Sequence, residues 1–157
     1  MKGLLDRGDG VRLAWQRVPG RGIGVVFLGG FMSDMTGSKA EFLAGWCAAR
    51  GTPFLRFDYS GHGTSEGRFV DGTIGRWADD AAAVIAAQAE GPQVLVGSSM
   101  GGWIALLLAA RQRVALRALV GIAPAPDFTE DLMWAEFTPE QREVILREGV
   151  WHRPSEY

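Results

Sequence analysis

Residues 94–103 read Val-Leu-Val-Gly-Ser-Ser-Met-Gly-Gly-Trp, and they carry the strongest structural signal in the chain. An apolar run typical of a buried strand leads into it, and an alanine- and leucine-rich run typical of a helix follows it. Gly97, Ser99 and Gly101 form the pattern G-x-S-x-G, which between a strand and a helix predicts a nucleophile elbow. Glycines are needed there because so tight a turn strains the serine backbone and leaves no space for neighbouring Cβ atoms. The sequence therefore predicts that Ser99 is a catalytic nucleophile.

The remaining patterns predict an alternation of strands and helices. An Asp-Gly turn within residues 8–10 predicts a hairpin between two short strands. Further strands are expected at residues 23–28, 52–57, 94–97 and 116–122, and helices at 38–50, 73–90, 100–112 and 139–148. This order is typical of an α/β fold with a mostly parallel sheet and flanking helices. No linker divides the chain, so residues 1–157 are expected to form a single domain.

Three helix starts carry capping signals. Ser38 with Glu41, and Thr138 with Gln141, have the spacing of a capping box, and Pro139 is favourable at a first helical position. Thr73 is expected to cap the second helix.

Composition narrows the class of protein. The chain has 157 residues, of which 47% are hydrophobic and 22% charged, with a net charge of −2. These values indicate an ordinary globular domain and argue against a nucleic-acid or membrane-surface footprint. No apolar stretch reaches the ~20 residues that span a bilayer, and no cationic, apolar leader is present. Cys47 has no disulfide partner and is expected to be a small buried hydrophobe. We therefore expect a cytoplasmic protein that is not inserted in a membrane.

Acyl transfer by a serine needs hydrogen-bond donors for the oxyanion. The residue after the nucleophile, Met100, supplies one backbone N–H, and Phe31 in the loop after the third strand supplies the second. Gly29 and Gly30 would let that loop pass close to the elbow, although a strand-ending turn alone would also account for them.

A general base for Ser99 is harder to assign. His62 and His152 are the chain's two histidines. His62 lies in a Gly-His-Gly turn, which favours a structural role, and His152 comes too early for the chain order Ser, Asp or Glu, His. Asp127 follows the last predicted strand and is a candidate for the acid that orients the base, although a solvated loop carboxylate is the more ordinary interpretation.

The other carboxylates near predicted strand ends and helices favour structural roles. Asp58 closes a strand and is expected to fix the turn of residues 59–65. Asp79 and Asp80 lie within a predicted helix and are expected on its solvated face.

Residues 97–103 and 56–65 together resemble the α/β-hydrolase superfamily of serine hydrolases. Residues 30–33, 36–40 and 149–157 are similar to the branch that contains the animal mitochondrial acyl-protein thioesterase, a depalmitoylase also known as an acyl-glucuronide esterase. The resemblance extends over nearly the whole chain from Val25 onward.

The resemblance implies an α/β-hydrolase fold and an esterase or thioesterase that forms an acyl-enzyme at Ser99. It implies that Phe31 and Met100 line the oxyanion hole and that residues 127–157 begin a cap over the acyl pocket. In that family the catalytic Asp and His follow the cap, so the chain is expected to be truncated before them.

The resemblance implies no cofactor and no metal, and a small molecule or an acylated protein as substrate. An amide- or peptide-bond hydrolase of the same fold, and a catalytically inactive binding domain, stay open as alternatives, as does the oligomeric state.

Overall fold

The structure, a computed structural model, describes residues 1–152. The chain divides into two compact units, Met1–Pro126 and Asp127–Tyr157. Residues 153–157 lie outside the described residues. They belong to the segment 149–157, whose sequence resembles the thioesterase branch.

The first unit is built on a six-stranded sheet. In chain order its strands are β1 (Lys2–Asp6), β2 (Arg12–Val18), β3 (Gly24–Leu28), β4 (Phe54–Phe57), β5 (Gln93–Ser98) and β6 (Leu116–Ile122). Their order across the sheet is β1-β2-β4-β3-β5-β6. The predicted hairpin is confirmed, since β1 and β2 pair antiparallel around residues 8–10, and β2 pairs antiparallel with β4. The other four strands, β3, β4, β5 and β6, run parallel to one another.

Helices cover both faces of this sheet. They are α1 (Ser38–Arg50), α2 (Ile74–Gln88) and α3 (Met100–Ala110). The chain steps from β3 to β4 in one direction across the sheet, and from β4 to β5 to β6 in the other. Because such crossovers are right-handed, opposite steps place α1 on one face and α2 and α3 on the other. Consistent with this, α2 and α3 contact each other.

The core on the α1 face is apolar and closely packed. Cys47 is fully buried in it, which confirms its predicted role as a small hydrophobe. Residues of three strands and one helix form this cluster: Phe27, Ala40, Ala44, Cys47, Phe54 and Val96.

Two of the three predicted helix caps are confirmed. Thr73 accepts a hydrogen bond from the Arg76 N–H, and Thr138 forms a full capping box with Gln141. The capping box predicted at Ser38 is wrong, because Ser38 is already the first helical residue and the N-cap is Gly37, which makes no side-chain hydrogen bond. The Glu41 carboxylate that the box would need instead forms an ion pair with Arg56.

The second unit is helical over most of its described part. A π-helical segment covers Thr129–Trp134, where the sequence predicted no helix, and α4 covers Pro139–Glu148 as predicted. Edge-to-face contacts join Phe137 to Trp134 and to Trp151, at centroid distances of 6.2 and 5.4 Å.

Across residues 1–152, every helix is too short or too polar to cross a bilayer.

Candidate functional site

Ser99 lies in a one-residue turn between β5 and α3. Its backbone angles are φ 53° and ψ −120°, a combination that residues other than glycine rarely adopt. The turn is held by backbone bonds: the Ser99 N–H donates to the Ile122 carbonyl at 3.1 Å, and its own carbonyl accepts from the Gly102 N–H at 2.9 Å. Ser99 is exposed whereas Ser98 is buried, so the two adjacent serines have different access to solvent.

The glycines of the motif have no space for a side chain. A Cβ on Gly97 would lie 2.4 Å from the Gly101 carbonyl oxygen, and one on Gly101 would lie 2.1 Å from the Leu28 carbonyl oxygen. Real Cβ atoms essentially never lie within 3.0 Å of a non-bonded neighbour, so strands β3 and β5 fit against the start of α3 only with glycine here. The pattern G-x-S-x-G is therefore a packing requirement of this turn.

The loop after β3 passes beside Ser99, as the sequence predicts. A Cβ on Gly30 would lie 3.5 Å from the Ser99 Cβ and 3.5 Å from the Ser98 carbonyl oxygen. The Gly30 carbonyl accepts a hydrogen bond from the Ser33 hydroxyl at 2.7 Å, which holds the loop in a tight turn. Phe31 packs edge-on against Phe69, with ring centroids 5.1 Å apart.

A cavity of about 270 Å³ opens between this loop and α1, and Ser99 lines it. Met100 is the first residue of α3, so its backbone N–H has no acceptor within the helix. The positive end of the α3 dipole therefore lies at Ser99. The rest of the cavity wall comes from the ends of β3 and β5, the loop after β3 and the start of α1, and it includes Phe27, Gly30, Phe31, Ser33, Asp34, Ser38, Lys39 and Ser98.

Asp58 fixes the turn after β4, which confirms the structural role expected of it. Its buried carboxylate accepts hydrogen bonds from the Met35 N–H at 2.7 Å and the Thr64 N–H at 2.9 Å. It thereby ties the loop after β3 to the turn after β4. The Tyr59 hydroxyl adds a second link by donating to the Gly29 carbonyl at 3.4 Å.

His62 is buried in an aromatic cluster. Its ring packs edge-on against Trp77 and Phe69 at 5.0 and 5.1 Å, and its Nδ1 lies 3.2 Å from the Ser60 carbonyl oxygen. Burial lowers the pKa of the imidazole, which favours the neutral ring. Within residues 1–152 no histidine is hydrogen-bonded to the Ser99 hydroxyl. This arrangement fits the structural role that the sequence favours.

Asp80 does not lie on a solvated face, so that prediction is wrong. Its fully buried carboxylate accepts hydrogen bonds from the Ser60 N–H at 2.9 Å and the Ser60 hydroxyl at 2.7 Å, and it forms an ion pair with Arg7. The spacing contained the signal: Asp80 follows Trp77 by three residues and precedes Val84 by four, which places it on the apolar face of α2.

The other candidate acids and bases lie elsewhere. Asp79 is exposed as predicted and pairs with Arg113 at 2.9 Å. Asp127 and His152 belong to the second unit, and both are exposed. Among the described residues, no cluster of three His, Cys, Asp or Glu side chains could hold a metal ion.

Comparison with known proteins identifies the family. The family model described as serine aminopeptidase, S33 (Hydrolase_4) matches residues 23–151. The chain belongs to this family. The match includes the Ser99 turn, the loop after β3 and the turn after β4.

Curated relatives carry a more specific name. The chain is 39% identical over 154 residues to the mouse palmitoyl-protein thioesterase ABHD10, mitochondrial, covering 98% of this chain and 52% of the mouse protein. It is 38% identical to the human protein of the same name, covering 98% of this chain and 50% of that protein. The chain thus spans about half the length of the curated relatives that it matches.

Solved structures show the fold. The mouse alpha/beta hydrolase domain-containing protein 10 has a TM-score of 0.87 at 37% identity, covering 100% of this chain and 62% of that one. A putative hydrolase from Agrobacterium vitis S4 has a TM-score of 0.87 at 38% identity, covering 100% of this chain and 64% of that one. The predicted α/β-hydrolase fold is confirmed, and the described residues form its N-terminal part.

The predicted cytoplasmic location is wrong. The curated relatives from mouse and human are both named as mitochondrial proteins. Composition alone does not distinguish the two compartments.

Proposed function

We propose that the protein is a serine hydrolase that cleaves acyl thioester or ester bonds through an acyl-enzyme at Ser99. The observation that carries this proposal is the position of Ser99: an exposed hydroxyl on a strained turn, at the start of α3, and on the wall of a cavity. Strained backbone of this kind persists only where the surrounding structure enforces it, and it is concentrated at functional sites.

In the first step a general base takes the proton of the Ser99 hydroxyl, the Ser99 Oγ attacks the substrate carbonyl carbon, and the carbonyl oxygen becomes negatively charged. We assign the backbone N–H groups of Met100 and Phe31 as its hydrogen-bond donors, with support from the α3 dipole and from the closeness of Gly30 to Ser99. Collapse of this intermediate expels a thiolate, or an alcohol that takes the proton back from the protonated base, and leaves the acyl group on Ser99. Water then hydrolyses the acyl-enzyme and releases the acid.

The general base and its orienting acid are proposed to lie outside residues 1–152. The buried ring of His62 supports this assignment, since it is enclosed by Trp77 and Phe69. His62→Ala should therefore reduce turnover by no more than about tenfold, whereas loss of a base costs about 10⁴-fold or more.

The substrate class follows from the relatives. The curated relatives are named palmitoyl-protein thioesterases, so an S-acylated protein or a small acyl thioester is the proposed substrate. We propose further that residues 127–157 form part of a cap that selects the acyl group.

A peptide- or amide-bond hydrolase is the second candidate, since the family model carries the name of a serine aminopeptidase. The two chemistries differ in the leaving group, because an amine must be protonated as it departs whereas a thiolate leaves without a proton. A catalytically inactive binding domain is the third candidate.

Hydrolysis assays on the protein translated from the complete reading frame separate the three candidates. We expect a higher kcat/KM for an acyl thioester than for an aminoacyl amide, and its loss in Ser99→Ala. Ser98→Ala is the matched control, because that serine is buried beside the turn. A preference for the amide would support the peptidase, and turnover of neither substrate would support the inactive domain.

A further inference from the structure

The exposed side of α1 carries two aromatic residues between two cations. Phe42 is 69% exposed and Trp46 is 42% exposed. Lys39 and Arg50 are exposed as well, near the two ends of the helix. At 100° per residue these four side chains fall within an arc of about 80°. We call Lys39, Phe42, Trp46 and Arg50 the α1 stripe.

Within residues 1–152, the core of the first unit does not include the aromatic residues of the α1 stripe. The opposite side of α1 is buried through Ala40, Ala44 and Cys47, which already fill the space against the sheet. Large apolar side chains that lie next to each other on a soluble surface indicate an interaction site. Phe42 and Trp46, one helical turn apart, meet that description. Polar residues at these two positions would have been enough for a helix face that only contacts water.

The charges beside these rings are positive. The Arg50 guanidinium stacks on the Trp46 ring at 4.1 Å. Arg21 is also exposed and lies next to the end of α1, since its N–H donates to the Gly51 carbonyl at 2.9 Å. Glu41 is the single acidic residue of α1, and its carboxylate is paired with Arg56 at 2.7 Å. The whole chain has a charge of −2, so the positive charge is a local feature that its composition does not reveal.

Aromatic rings flanked by cations are complementary to one kind of surface. Tryptophan and phenylalanine insert at the level of lipid headgroups, and basic residues are attracted to anionic lipids. We propose that the α1 stripe docks the protein on an anionic lipid bilayer. The stripe is about 17 Å long at 1.5 Å per residue, so it would lie along the bilayer surface without crossing it.

The location of the α1 stripe gives the docking a consequence for substrates. Lys39 belongs to the stripe and also lines the cavity that contains Ser99. A docked protein would therefore hold this cavity next to the lipid surface, where acylated substrates concentrate. This consequence rests on the proposed function, whereas the docking itself does not and is measured without turnover.

Co-sedimentation with vesicles tests the docking in the protein translated from the complete reading frame. We expect binding to vesicles of phosphatidylcholine with phosphatidylglycerol, and weaker binding to phosphatidylcholine alone or at raised ionic strength. Lys39→Gln and Arg50→Gln should each weaken binding about fivefold. The double variant Phe42→Ser/Trp46→Ser should weaken binding to both kinds of vesicle by at least about tenfold.

Matched controls come from the opposite face of the sheet. Leu106 on α3 is 42% exposed, as Trp46 is, and Arg111 is an exposed cation at the end of that helix. Leu106→Ser and Arg111→Gln should leave vesicle binding unchanged, and circular dichroism checks that every variant is folded.

Three results would overturn the docking proposal. They are the absence of vesicle binding, equal binding by the stripe variants and the parent, and a change of oligomeric state in the stripe variants without vesicle binding. The last result would assign the α1 stripe to contacts between copies of the chain.

Discussion

Gly97 and Gly101 lie against each other across the turn that carries Ser99. A Cβ on Gly97 would lie 2.4 Å from the Gly101 carbonyl oxygen. Strand β5 and helix α3 approach this closely because neither residue has a side chain, and the same approach gives Ser99 its left-handed φ of 53°. The backbone of the nucleophile candidate is thus set by glycine packing.

Gly101→Ala should therefore both destabilise the protein and impair the site. The added methyl group would meet the Leu28 and Gly29 carbonyl oxygens, which belong to backbone and cannot move aside. We expect a loss of about 3 kcal/mol in the free energy of unfolding, measured by urea denaturation. Gly45→Ala on the exposed side of α1 is the control, because its Cβ would meet nothing within 4 Å and should stabilise the helix by up to about 1 kcal/mol. Equal effects of the two substitutions would contradict this account of the turn.

Removal of the Asp80 carboxylate should be costly. Asp80→Ala leaves the Ser60 N–H and hydroxyl without their acceptor and takes the buried partner from Arg7. Because breaking a buried ion pair leaves an uncompensated charge, we expect a loss of about 3–5 kcal/mol in the free energy of unfolding. Asp79→Ala removes the neighbouring carboxylate of an exposed pair with Arg113 and should cost less than about 1 kcal/mol. If the two variants unfold at the same urea concentration, Asp80 contributes nothing that an exposed carboxylate does not.

Burial of His62 predicts that the protein loses stability in mild acid. The pKa of His62 in the folded protein lies below the usual 6.5. As the pH falls below 6.5, the unfolded chain therefore binds a proton at His62 more readily than the folded protein does. The stability that the neutral, buried His62 ring contributes is fully present above pH 6.5, and it decreases as the pH falls toward the pKa of His62 in the folded protein. Urea denaturation between about pH 7.5 and about pH 5.5 measures this, in a range above the ordinary carboxyl pKa values.

The His62→Asn variant should show a smaller dependence of stability on pH over this range. His152→Asn, which changes the exposed histidine of the second unit, should keep the dependence of the parent. A parent-like slope in His62→Asn would assign the titration to another group.

Much of the fold could be predicted because each element carries its own local signal. Residues 94–103 contain the strand, the glycines and the start of the helix in one continuous stretch, and the structure follows that order. The capping box at Thr138 could be predicted for the same reason, since all its partners lie within four residues. The capping spacing at Ser38 misled because Glu41 meets Arg56, a residue of another strand that local spacing does not reveal.

The site itself is only partly local in sequence. Ser99 and Met100 are adjacent, but the closeness of Gly30 depends on β3 and β5 being neighbours in the sheet. The buried role of Asp80 depends on Arg7 and Ser60, which are distant along the chain. The cellular compartment could not be predicted from composition, because the net charge and hydrophobic fraction of a domain do not distinguish a cytoplasmic protein from a mitochondrial one.

Covalent labelling of the protein translated from the complete reading frame tests the role of Ser99 most directly. A fluorophosphonate probe, which reacts with an activated serine, should add one label, and mass spectrometry should place it on Ser99. We expect Ser99→Ala to abolish the label and Ser98→Ala to keep it. A label on any other residue, or its persistence in Ser99→Ala, would contradict the assignment of Ser99 as the nucleophile.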